Sequence, residues 1–65
     1  MKNENATAIH VFLKERDALG CLVEFTFGPK SWDDYELIKG LFVVKKEGRW
    51  VYIVNMDSVL YIDLR

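Results

Sequence analysis

His10 and Cys21 are the one base-and-nucleophile combination in this 65-residue chain, which holds a single histidine and a single cysteine. Thiolate attack needs an imidazole within hydrogen-bond reach of the sulfur and a third group to orient the ring. Alternation along the two strands these residues occupy puts His10 and Cys21 on opposite sheet faces. They read as structural: a small buried thiol, and a strand histidine with its ring partly in solvent. They are also the only soft metal ligands, far from the full tetrahedral set a structural zinc demands. No metal or other cofactor is expected.

Asp33, Asp34 and Glu36 form the densest carboxylate group. General acid–base chemistry uses two carboxylates in unlike environments, and these share one exposed turn. Their position suits a helix start, where the dipole favours negative charge. Lys45, Lys46, Arg49 and Trp50 form the one basic-aromatic cluster. Cations beside a stacking ring are one way to hold single-stranded nucleic acid. The same residues equally make a solvated hairpin tip, with a Lys45–Trp50 cation–π contact.

The elements that would position these residues follow from pattern. Residues 7–14 and 19–27 are rich in Val, Ile, Phe and Thr and read as two strands. Pairing Leu13 with Leu19 sets Val11 opposite Cys21 and Ile9 opposite Val23, which makes one face apolar. Gly28-Pro29-Lys30 is a turn. Ser31 can cap a helix, with Asp34 three residues on, and Gly40 can end it, so a two-turn helix is predicted over 32–39. Residues 41–46 and 49–55 flank Glu47-Gly48, a two-residue hairpin signal. A turn at 55–58 leads to a last strand at 59–64.

Continuous pairing of these last three strands sorts their side chains. One face carries Phe42, Val44, Val51, Ile53, Leu60, Ile62 and Leu64. The other carries Leu41, Val43, Lys45, Trp50, Tyr52, Val54, Val59 and Tyr61. The expected fold is α+β: a five-stranded antiparallel meander, curved or barrel-like, with one short helix between strands 2 and 3. It forms one domain over 1–65, with 1–6 as a flexible tail.

Val11-Phe12-Leu13 followed by Leu19-Gly20-Cys21-Leu22-Val23-Glu24-Phe25 resembles the first motif of Sm-like RNA-binding proteins. Val51-Tyr52-Ile53 with Ser58-Val59-Leu60-Tyr61-Ile62 resembles the close of their second motif. The resemblance implies a five-stranded small barrel, ring oligomers and RNA. The family's Asn and Arg-Gly signature is absent, so the barrel-like shape is what carries over.

Nine basic and ten acidic side chains leave a net charge of −1, so no global positive field draws in nucleic acid or an acidic membrane. The longest unbroken apolar run, Leu41 to Val44, is far short of a membrane span. A lone thiol and a polar start suit a reducing, cytoplasmic location. No reaction-specific motif is present. The expected function is therefore a non-catalytic one: binding another protein as an inhibitor, adaptor or regulatory subunit. The expected contact residues are Lys45, Lys46, Arg49, Trp50, Tyr52, Tyr61 and Phe12. An Sm-like or SH3-like nucleic-acid-binding oligomer is the alternative. A sheet apolar on both faces also makes a homo-oligomer plausible.

Overall fold

Six strands and one short 3-10 turn organise the chain, in a computed structural model that describes residues 7–65. The strands are β1 (Ile9–Arg16), β2 (Leu22–Phe27), β3 (Asp34–Ile38), β4 (Leu41–Lys46), β5 (Arg49–Asn55) and β6 (Val59–Leu64). The turn, Met56–Ser58, joins β5 to β6. All strand pairings are antiparallel, in two three-stranded sheets ordered β2-β1-β6 and β3-β4-β5. The expected tail at 1–6 lies outside the described residues. No helix among those residues is long and apolar enough to cross a membrane.

The expected α+β class is overturned: residues 34–38 are a strand, and no α-helix forms there. Two identical turn devices explain the change. Lys39 and Gly40 have φ of 50° and 81°, and Glu47 and Gly48 have 54° and 78°. Positive φ at both central residues is the type I′ geometry, whose twist matches that of the flanking strands. Each Xaa-Gly pair therefore folds a hairpin, with Ile38 paired to Leu41 and Lys46 paired to Arg49. Gly40 serves as the second residue of a hairpin turn rather than as a helix cap.

The Ser31 and Asp34 capping pattern gives way to other bonds. Ser31 N–H donates to Gly28 O at 2.9 Å and closes the Pro29 turn. Asp33 N–H donates to Lys45 O at 3.0 Å, and the Asp33 carboxylate accepts the Glu47 N–H at 2.8 Å. These bonds fasten the start of β3 along β4 and give the Asp33 and Glu47 backbone N–H groups their partners.

The five-stranded meander is also corrected. β6 pairs with β1 and leaves β5. Asn55 takes the 3-10 N-cap position, its side chain accepting from Asp57 N–H at 2.9 Å. Met56 N–H donates to Gly40 O at 2.9 Å. The chain is thereby turned away from β5 and into the other sheet. The β1–β2 register differs by four residues from the expected one: Ile9 lies opposite Phe27 and Val11 opposite Phe25. That shift sets two phenyl rings opposite Ile9 and Val11, both fully buried.

Two bulges decide which residues face inward. In β5, Lys45 pairs with Trp50 but Val44 pairs with Tyr52, so Val51 is the extra residue. In β6, Phe12 pairs with Tyr61 and Leu13 with Val59, so Leu60 is extra. Each extra residue reverses the alternation beyond it. Ile9, Val11 and Val59 from one sheet therefore meet Phe42 and Val44 from the other, with Trp32 from the connecting segment between them. Leu13, Phe27, Tyr35, Tyr52, Val54, Met56 and Ile62 pack around this core. The expected aliphatic face does not form. Phe42 and Val44 share the core with Tyr52 and Val54, whereas Val51, Ile53, Leu60 and Leu64 are about half exposed.

Trp32 is the anchor between sheets. It is buried, and its indole N–H donates to Thr7 O at 3.0 Å. Its ring lies 5.8 Å from that of Tyr35, which lies 5.5 Å from that of Phe42. Val43 is fully buried although it points away from Phe42 and Val44; Glu36 and Ile53 flank it in register.

Candidate functional site

The seven residues singled out by sequence fall in three places. Lys45, Lys46, Arg49 and Trp50 stay together at the β4–β5 hairpin. Lys45 stands opposite Trp50 and bonds Glu36 Oε2 through Nζ at 3.0 Å. Lys46 and Arg49 pair beside the turn. Trp50 is 53% exposed on the side of the sheet away from the core, followed by half-exposed Val51 and Ile53.

Tyr52 is inside. Its ring lies 5.2 Å from Phe25 and 5.1 Å from Phe27, both on β2, so β5 and β2 meet across the core. Burial raises the Tyr52 phenol above its ordinary value of 10.0, because the phenolate loses hydration there.

Phe12 and Tyr61 occupy the outward side of the other sheet, their rings stacked at 4.4 Å. The stripe expected from Trp50, Tyr52 and Tyr61 is therefore not one surface. Trp50 lies outside one sheet, Tyr61 outside the other, and Tyr52 between them.

His10 does not meet Cys21. Its Nδ1 lies 3.1 Å from Glu24 Oε2 and 3.3 Å from Thr26 Oγ1, and Thr26 Oγ1 donates to Glu24 Oε2 at 3.2 Å. Both contacts use the same ring nitrogen. A relay from hydroxyl through imidazole to carboxylate uses both nitrogens, so this cluster has no triad geometry. Glu24 and Thr26 were missed by the sequence reading. Their i, i+2 spacing places them on one strand face, but only the true β1–β2 register sets Thr26 opposite His10.

Cys21 is exposed rather than buried, at the end of the β1–β2 loop. The Asp17 carboxylate organises that loop, accepting from Leu19 N–H at 2.9 Å and Cys21 N–H at 3.0 Å. Asp33 and Glu36 are spent on the backbone and ion-pair contacts described above. Among the described residues, no three His, Cys, Asp or Glu side chains gather in a way that could hold a metal ion. An open groove of about 500 Å³, lined by Leu13, Lys14, Glu15, Asp57 and Ser58, runs where β1 passes the 3-10 turn.

These features define a small, all-antiparallel β domain of two packed sheets, with exposed Trp50 and Tyr61 on outward faces. No family model matches the chain, and neither a curated protein nor a solved structure matches it.

Proposed function

We propose that this is a non-catalytic protein-binding module, acting as an inhibitor, adaptor or regulatory subunit through the hairpin surface around Trp50. The observation that carries the reading is the exposure of Trp50, Val51 and Ile53 in near succession on one strand, beside Lys46 and Arg49. Tryptophan and arginine are the residues most enriched among binding hot spots. An apolar row with a basic rim matches the anatomy of a protein interface. The test places a photo-crosslinking amino acid at Trp50 and, as a control, at Glu15, in cells. A discrete protein adduct from position 50 alone supports the reading; adducts equal at both positions, or none, overturn it.

A second reading is an Sm-like or SH3-like nucleic-acid-binding oligomer. Lys46, Arg49 and Trp50 at one hairpin tip favour it. The two separate three-stranded sheets do not form the closed barrel that the family likeness implies. Titration with single-stranded RNA across salt separates the readings, because phosphate contacts give a negative slope of log affinity against log salt.

A further inference from the structure

The outer edge of β6 has a defined hydrogen-bonding phase. Arg65 N–H donates to Ala8 O at 2.9 Å, and Ala8 N–H donates to Arg65 O in return. In an antiparallel ladder such reciprocal pairs alternate with pairs that share no bond. The register Phe12–Tyr61, His10–Asp63 and Ala8–Arg65 therefore turns Tyr61, Asp63 and Arg65 toward β1. Ile62 and Leu64 direct N–H and C=O away from it. β6 ends the sheet order, so no described strand meets those groups.

The side chains along this edge carry a matching chemistry. Phe12 covers one face of the Tyr61 ring, leaving the other turned from β1. Asp63 follows two residues on, on the same side of the sheet. Its Oδ2 already accepts a guanidinium N–H, from Arg65 Nε, and that arginine side chain is 77% exposed. A free aromatic face beside a carboxylate suits a guanidinium, through cation–π attraction and a charge-assisted hydrogen bond. On the opposite side of the sheet, Leu64 offers half-exposed aliphatic surface.

We propose that the free edge of β6 takes up an extended segment of a partner protein in which arginine alternates with an aliphatic residue. The segment adds as a fourth strand, its backbone bonding Ile62 and Leu64. Its arginine lies on the Tyr61 ring against Asp63, displacing Arg65, and its aliphatic residue covers Leu64. The Leu60 bulge ends the regular edge at Tyr61, so the footprint is short. This edge belongs to the other sheet from Trp50, and it stands or falls separately from the function proposed above.

The test uses the intact protein and an octapeptide of alternating arginine and valine, with a glutamate-valine octapeptide as comparison. Amide exchange is followed residue by residue by NMR. At saturating arginine peptide, the Ile62 and Leu64 amides slow by about tenfold or more, as expected for newly bonded strand amides, while Asp63, already bonded to β1, does not change. Asp63→Asn weakens binding of the arginine peptide, and methylating the valine nitrogens of that peptide abolishes it. Equal protection by the glutamate peptide, protection at β2, β3 or β5 instead, or no protection overturns the proposal.

Discussion

The Phe12 and Tyr61 rings stack at 4.4 Å with 19° between their planes, although 49 positions apart in sequence, on the outward side of the β2-β1-β6 sheet. Such pairs contribute about 0.5–1.5 kcal/mol beyond the area they bury. A double-mutant cycle of Phe12→Ala and Tyr61→Ala, read by urea denaturation, is expected to show coupling of that size. Additive single effects would mean that the two rings act independently.

The two type I′ turns give opposite expectations for adjacent residues. Gly40→Ala and Gly48→Ala meet open space but impose positive φ on a residue with a Cβ, and each is expected to destabilise by about 1–2 kcal/mol. Lys39→Asn and Glu47→Asn place the side chain that best tolerates this conformation and should raise stability. Midpoints of urea unfolding check both signs. Destabilisation by both asparagine variants would contradict the turn geometry.

Two isoleucines separate the core from the outside. Ile9 is fully buried, whereas Ile53 is 49% exposed. Ile9→Ala is expected to cost about 2–5 kcal/mol, enough to unfold most of the molecules of so small a domain. Ile53→Ala removes partly solvated surface and should cost about 1 kcal/mol or less. Near-equal losses, measured by chemical denaturation, would argue that β5 has no bulge at Val51.

Tyr52 supplies an alkaline limit. Its phenol is raised by burial, so the neutral form is favoured in the folded state. The stabilisation is fully present below the unfolded value of about 10 and declines as pH rises through the higher folded value. Spectrophotometric titration should find a tyrosine ionising above the ordinary value of 10.0. Tyr52→Phe should remove that late titration and flatten the loss of stability above about pH 10. An unchanged profile would show that Tyr52 is not the group responsible.

The sequence by itself determined the β-rich runs at 41–46, 49–55 and 59–64, the Pro29 turn and the Glu47-Gly48 hairpin. Each depends on conformational preferences acting over a few residues. Lys39-Gly40 carries the same turn signal eight residues before Glu47-Gly48 and was equally legible. The capping pattern of Ser31 and Asp34 competed with it, and only Asp33's bonds to Lys45 and Glu47 show why the strand prevails. Tertiary structure alone decided that β6 joins β1, that Phe27 rather than Val23 lies opposite Ile9, and that Val51 and Leu60 bulge. Those choices placed Trp50 outside, Tyr52 inside and Tyr61 on the other sheet. Strand phase is settled by which distant segments bury one another, and one extra residue in a strand exchanges its two faces without changing its composition.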